Sequence, residues 1–481
     1  MKTFFYKIAH TLNQLKNKWN LSTLAIAIIG LAIFITDMNS QLYKEGKVIQ
    51  IDALAYYTYL PATFIYTDLK LEFFTKPGDH YEHIKGKAWI SFGPQGQRLL
   101  AVSYGMSLLY APFFLIAHLY STVFDIDPYG FSWPYHLAIQ IAALFYLILG
   151  LFFIRKTLLL YFNEAAVALA ILGVVIGTNL FYYSTFEAGM SHVFNFSMIS
   201  VFIWVLPKWL NSPTIRISVI LGLLTGLIVL VRPSNVLIIV LYLLWGIFNF
   251  NDVAVRLRFL IKNILKVLLM IVMSFLIWLP QFLYWKYIVG TYLYFSYGDG
   301  VQFFWSDPQI FNILFSYRKG WLLYTPMMLL AIIGIFFLRK YNKKSIIPIS
   351  LTLILYVYVL SCWCFWWFGG GFGSRGFIDI YGLLSLPLAA IISTFLFSKR
   401  AIIRISFFVV FLLLIAHNLF ETTQYRNGAI HFANMTKEAY WSTFGKLKPK
   451  GNFYDLLKEP PYEEVKQRIE KEKQKEENKG N

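Results

Sequence analysis

The chain reads as an all-α polytopic membrane protein of about eleven transmembrane helices. Three observations lead there. Hydrophobic residues make up 58% of the 481 positions and charged residues only 14%, against roughly a quarter charged in a soluble protein. Apolar runs of about 20 residues recur along most of the length, each enough to cross a bilayer. Basic residues fall mainly in the short loops between those runs, the bias that orients membrane proteins.

Residues 1–21 form a cytoplasmic segment carrying Lys2, Lys7, Lys16 and Lys18. The first apolar run, 22–38, ends in Thr36-Asp37-Met38-Asn39. No small-residue cleavage site follows it, so it reads as an anchor. The transmembrane domain extends over 22–420. Its first extracytoplasmic loop, 39–133, carries interfacial or re-entrant helices. Within that loop the stretch 99–123 is apolar, but Gly105 and Pro112 suit a broken or surface-lying helix. Later runs fall near 134–154, 165–183, 193–207, 217–231, 236–250, 267–285, 321–338, 347–362, 377–398 and 405–420.

The basic residues settle the topology. If 99–123 does not cross, the loops at 155–156, 208–216, 256–266, 339–344 and 399–404 are cytoplasmic. They hold about fifteen Lys and Arg, against about five in the outer loops of the same region. If it crosses, the bias inverts. The N-terminus is then cytoplasmic and the tail 421–481 extracytoplasmic. From Glu459 onward the tail is mostly Lys, Glu and Gln, a short solvated helix or partial disorder with no catalytic role. The excess of 43 Lys and Arg over 25 Asp and Glu thus reflects orientation, and no nucleic-acid partner is expected. Cys362 and Cys364, one residue apart, read as packing residues: the spacing strains a disulfide, and two thiols make a poor metal site.

The first loop contains Ile51-Asp52-Ala53-Leu54-Ala55-Tyr56-Tyr57-Thr58-Tyr59-Leu60-Pro61-Ala62. An aromatic, amphipathic segment of this kind lies at a membrane surface. It holds Asp52 at the lipid–water boundary, where a carboxylate could take a proton from an incoming hydroxyl or simply cap the surface helix. Further along stand Tyr104-Gly105, Pro112-Phe113-Phe114-Leu115, Glu187 with Ser191-His192, and Arg232-Pro233-Ser234-Asn235. Then come Leu314-Phe315-Ser316-Tyr317-Arg318-Lys319-Gly320 and a late segment with Trp363, Trp366-Trp367, Gly369-Gly370-Gly371 and Phe372-Gly373-Ser374-Arg375. In order and spacing, over roughly 20–440, these pieces resemble the GT-C superfamily of polytopic glycosyltransferases. That superfamily includes the protein O-mannosyltransferases, the aminoarabinose transferases acting on lipid A, and Rgt-like bacterial enzymes. One departure is that better-known members carry a second acid beside the first, where this chain has Ala53.

The resemblance implies a GT-C-like fold in a bacterial inner membrane and an inverting sugar transfer. The donor would be a sugar on a polyprenyl phosphate. The acceptor would be a lipid, glycan or protein of the cell envelope. Asp52 would be the general base, with Tyr56 one helical turn on. Arg232, Arg318 and Arg375 would hold phosphate, since a planar guanidinium offers two parallel hydrogen bonds, with Arg98 and Lys87 behind them. Arg232 follows the apolar run 227–231, where it serves either as a ligand or as a snorkelling helix-end residue. His192, Glu187 and Asn235 would complete the substrate site, although His192 equally fits a purely hydrogen-bonded place. The Trp group would stack on a sugar or belong to an interfacial belt. No metal ligands are assigned, because the spacing of Asp79, His80, Glu82 and His83 matches no known ligand pattern. The resemblance itself leaves room for a divalent metal. Two other functions fit the same chain: a flippase or transporter for a lipid-linked glycan, and a glycan polymerase or ligase. Apolar runs nearly free of charge, with ionisable groups gathered on one face, favour a one-sided catalytic site over a conduit.

Overall fold

The computed structural model describes residues 20–74, 89–298 and 300–480, with backbone only for 476–480. Asp79, His80, Glu82, His83, Lys87 and the basic N-terminal segment lie outside the described residues. The chain is a helical bundle. Among the described residues, eight helices are long and apolar enough to cross a membrane.

The first helix, α1 (Leu21–Ser40), leads into α2 (Asp52–Phe64), which the aromatic pattern suggested would lie on a surface but whose residues 53–62 are all buried in the bundle. A short antiparallel ribbon follows, β1 (Ile90–Phe92) with β2 (Arg98–Leu100), and then α3 (Gly105–Val123) and α4 (Trp133–Leu158). Two polar ties fix α1 against α4. At one end Arg155 reaches the Ser22 hydroxyl at 2.6 Å and the Glu164 carboxylate at 2.9 Å. At the other, Gln140 meets Asp37 and His136 Nδ1 accepts from the Ile49 N–H. The two helices are therefore antiparallel, and the second end is the one that carries the site described below.

α3 has the composition of a spanning helix but does not leave that end. Its start packs on the last turn of the helix Ile215–Val231: a Cβ on Gly105 would meet the Leu230 and Val231 backbone, and Ser107 donates to the Tyr56 carbonyl. Its far end meets the start of α4, through His118 and the Tyr135 hydroxyl at 2.7 Å and through the Tyr120 and Trp133 rings.

Next come α5 (Glu164–Ile176), α6 (Leu180–Thr185), α7 (Ser191–Asn211) and α8 (Ile215–Val231). Asn163 and Thr214 cap α5 and α8 by accepting from the third backbone N–H beyond them. After Arg232 a 3-10 turn (Pro233–Ile238) and α9 (Ile239–Leu244) run back along α7 and α8, with Tyr242 against Phe202 and Thr225. Then follow the amphipathic α10 (Phe250–Lys262), opened by a capping box of Asn249 and Asp252, and the long α11 (Ile264–Val289). The second half holds α12 (Ile310–Phe315), α13 (Trp321–Tyr324), α14 (Met327–Tyr341) and α15 (Ile346–Cys362). It closes with a 3-10 turn (Arg375–Ile380) running into α16 (Tyr381–Leu396), then α17 (Ala401–Arg426), α18 (Lys437–Thr443) and α19 (Tyr462–Gly480).

The segment Arg375–Leu396 is the hub, with 94% of its apolar window buried; α11 and α17, at 17% and 11%, form the rim. Exposed apolar faces on that scale suit contact with lipid. The basic clusters at 155–156, 208–216, 256–266, 339–344 and 399–404 lie at the end of the bundle opposite the site. The tail does not float free. Arg318 donates to the carbonyls of Ala433, Lys458 and Glu459. α19, expected as a solvated helix, packs one face: Ile469 is buried, and Arg468 lies over Phe304 and pairs with Asp307 at 2.6 Å.

Small residues allow α8 and α11 to run in parallel at close range. A Cβ on Gly226 would stand 2.7 Å from the Ser274 carbonyl and 2.8 Å from its Cα, and Ser274 donates to the Gly222 carbonyl. The added methyl must push the two backbones apart, so Gly226→Ala should cost about 1–3 kcal/mol. Unfolding of the purified protein in detergent measures this; Leu223→Ala, on the outward face of the same helix, should cost less.

Candidate active site

The last residues of α1, α8 and α15 and the first of α7 and α16 meet at one end of the bundle. Asp52 is the first residue of α2. Its neighbour Ile51 occupies the N-cap with φ 50°, which a β-branched residue seldom adopts. Asp52 therefore sits inside the helix and caps nothing. Its Oδ2 accepts from Arg375 Nη2 at 2.9 Å, across 323 residues of sequence.

Arg375 is placed by the glycine segment before it. Gly371 has φ 146°, and a Cβ there would lie 2.6 Å from the Tyr183 hydroxyl. That hydroxyl accepts from the Phe372 N–H at 2.9 Å. On the other side Lys319 donates to the Gly371 and Phe432 carbonyls and is almost fully buried. Tyr182 donates to Glu187 at 3.1 Å, and Glu187 lies within electrostatic reach of Arg375, Lys319 and Asp52. Burial pushes the Glu187 carboxyl up, while Arg375 opposes the shift.

Tyr56, one turn after Asp52, has its hydroxyl beside Ser191, with Asp52, Arg232 and Arg375 as its charged neighbours. Burial first, and the Asp52 carboxylate second, raise the phenol above its ordinary range. It stays protonated and can donate. Tyr297, from the 290–309 loop, sits among the same three charges and is raised for the same leading reason.

A second layer lies behind. Arg232 Nη1 is 2.8 Å from His192 Nδ1 and 3.4 Å from Asp379 Oδ2. The same Nδ1 lies 3.3 Å from Asp379 Oδ1, so it stands between a guanidinium that only donates and a carboxylate that only accepts. Asn235 Nδ2 donates to Asp379 Oδ2 at 2.8 Å, and Tyr356 donates to Asn235 Oδ1 at 2.8 Å. The two layers differ in access. The side chains of Asp52, Arg375 and Arg232 are 17%, 15% and 14% exposed, those of His192 and Asp379 only 3% and 0%. The front layer can touch a substrate; the back layer positions Arg232.

The structure thus gathers Asp52, Tyr56, Glu187, His192, Arg232, Asn235 and Arg375. It does not gather Arg318, whose guanidinium is taken by tail carbonyls; the next residue, Lys319, stands in the cluster instead. Asn235 is satisfied on both sides and serves as an anchor. Lys319, Asp379, Tyr183 and Tyr297 were not singled out from sequence. Asp379 carried a usable signal, an acid at the head of an apolar run. Lys319 did not, because two adjacent cations cannot be told apart without the turn that separates them. Around Asp52 stand mainly guanidinium and phenol groups, with the Glu187 carboxylate within electrostatic reach; among the described residues no group of three or more His, Cys, Asp or Glu gathers. No known protein family matches this chain, and no curated protein is similar to it.

Lys319 makes the cluster pH-sensitive. Burial, and then the Arg375 charge, lower its ammonium from 10.5 to about 7. Below that range folded and unfolded chains are both protonated; between the two values the unfolded chain holds more protons. Stability therefore gains with rising pH from about 7 to 10.5. The melting temperature of the wild type relative to Lys319→Met should climb across that window, and parallel curves would show that Lys319 carries no such linkage.

Proposed function

We propose that this chain is a membrane glycosyltransferase that moves a sugar, with inversion, from a polyprenyl phosphate to an acceptor outside the cytoplasm. The observation that carries the reading is the meeting of Asp52 with Arg375, beside Arg232 and Lys319, at the bundle end away from the basic loops.

The proposed topology has eleven crossings: α1, α4, α5 with α6, α7, α8, the segment Pro233–Leu244, α11, α13 with α14, α15, Arg375–Leu396 and α17. The helix α3 lies along the outer boundary. The basic loops then face the cytoplasm, while the cluster and the tail face away from it. The GT-C likeness, the bacterial inner membrane and the polyprenyl donor come from the motifs; the geometry is consistent with the chemistry they imply.

In that chemistry the acceptor hydroxyl attacks the anomeric carbon from the face opposite the phosphate. Its proton passes to Asp52, the bond from the anomeric carbon to the phosphate oxygen breaks, and the electron pair leaves with the polyprenyl phosphate. Among the described residues Arg375 engages only Oδ2 of Asp52, which leaves Oδ1 for the proton. Arg375 spends one of its five N–H groups on Asp52, so others remain for a phosphate oxygen. Arg232, oriented by His192 and Asp379, supplies a second guanidinium, and Lys319 adds positive potential from beneath.

Two measurements test the reading. With purified protein and a labelled polyprenyl-phosphate sugar, Asp52→Asn should lower turnover about 100-fold or more while donor binding persists. Arg232→Ala should mainly weaken donor binding. Full activity of Asp52→Asn would remove it as the base. Separately, a reporter fused after residue 481 should read as extracytoplasmic; a cytoplasmic signal would overturn the topology.

A further inference from the structure

Tyr297 belongs to the charged cluster on one side and to a row of rings on the other. Its ring lies 5.1 Å from Trp89 and 6.0 Å from Trp363. Trp363 meets Phe303 edge-on at 4.8 Å, and Phe303 stacks on Trp305 at 4.9 Å and 10°. The row is built on paired backbone. Phe303 bridges Trp363, Phe304 N donates to the Cys362 carbonyl at 2.7 Å, and Cys364 N donates to the Gln302 carbonyl at 3.0 Å. The rings are therefore held in register before any ligand arrives. Trp305 is 53% exposed and Trp89 38%. The nearby Trp367 is buried against Tyr462 and takes no part.

The rim of the row is polar. Asp307, two residues from Trp305, accepts from Arg468 at 2.6 Å, and Gln302 donates to Glu472 at 2.8 Å. Charged groups at this spacing are costly against hydrocarbon, whereas a pyranose ring suits the arrangement. It has a face of C–H bonds for an aromatic ring and a rim of hydroxyls for carboxylate and amide partners.

We infer that this row is the docking track for the acceptor, and that the acceptor is an oligosaccharide whose growing end reaches Asp52 past Tyr297. The direction of the chain rests on the transferase reading; the binding does not. The rings order the glycan by stacking, and the polar rim fixes which hydroxyls turn toward the cluster.

The test uses the full chain in nanodiscs. Trp305 emission, taken as the difference between wild type and Trp305→Phe, is followed against a panel of neutral α- and β-linked hexose oligosaccharides. A matching set of discs carries phospholipids brominated on their acyl chains. The expected result is an oligosaccharide response with little bromine quenching, and saccharide binding, followed in all variants by titration calorimetry, about tenfold weaker in Trp305→Ala and partly restored in Trp305→Phe. Strong bromine quenching with no saccharide response overturns the inference and makes the row a membrane belt. Sugar transfer to a short alcohol is measured in parallel. If transfer occurs but no oligosaccharide binds, the track is wrong and the transferase reading stands. If saccharide binding depends on Trp305 but no transfer occurs, the track stands and the transferase reading falls.

Discussion

The ion pair between Asp52 and Arg375 is the contact on which the rest of the site depends. It joins the buried helix that follows α1 to the head of the hub helix. A charge that is mostly hidden needs a partner, because losing one member leaves the other stranded. The pair therefore makes demands on its surroundings. Gly371 must accept a backbone conformation that other residues avoid, Tyr183 must catch the Phe372 N–H, and Lys319 must hold two carbonyls. Each comes from a different element, so one carboxylate brings together segments spread over most of the chain.

Behind that contact the protein keeps a drier one. Arg232 is held by His192 and by Asp379, and Asp379 is fixed in turn by Asn235, which Tyr356 holds. Satisfied polar chains of this kind are rigid, since no member can move without leaving another unpaired. The front layer stays partly exposed, and the back layer fixes the orientation of Arg232.

The spans were legible in the sequence because lipid imposes a single demand, an unbroken apolar length, and Leu21–Ser40 or Ala401–Arg426 meets it in plain view. α3 has the composition of a spanning helix; that both its ends contact elements at the site end is set by tertiary contacts that composition does not carry. Asp52, Arg232 and Arg375 were legible as charges at the edges of apolar runs. The choice between Arg318 and Lys319 was not, because it is made by the turn at 316–320, whose direction is set by tertiary contacts. Tyr297 was hidden for a related reason: its value lies in where an irregular loop folds back, and such loops carry no periodicity to read. The packed face of α19 escaped notice because Ile469 is one apolar residue in a strongly charged stretch.

The carbonyls that hold Arg318 and Lys319 have an evolutionary consequence. Phe432 and Ala433 are adjacent, and each satisfies one of two adjacent cations, one directed into the cluster and the other away from it. The turn after α17 thus acts as a shared hinge pin. A deletion or slip of one residue there would exchange the carbonyls offered to the two side chains and disturb the potential around Arg375 from a segment that bears no reactive group of its own. Selection on the proposed reaction should therefore reach into this unremarkable stretch, and drift in its length should be far rarer than drift in its side chains.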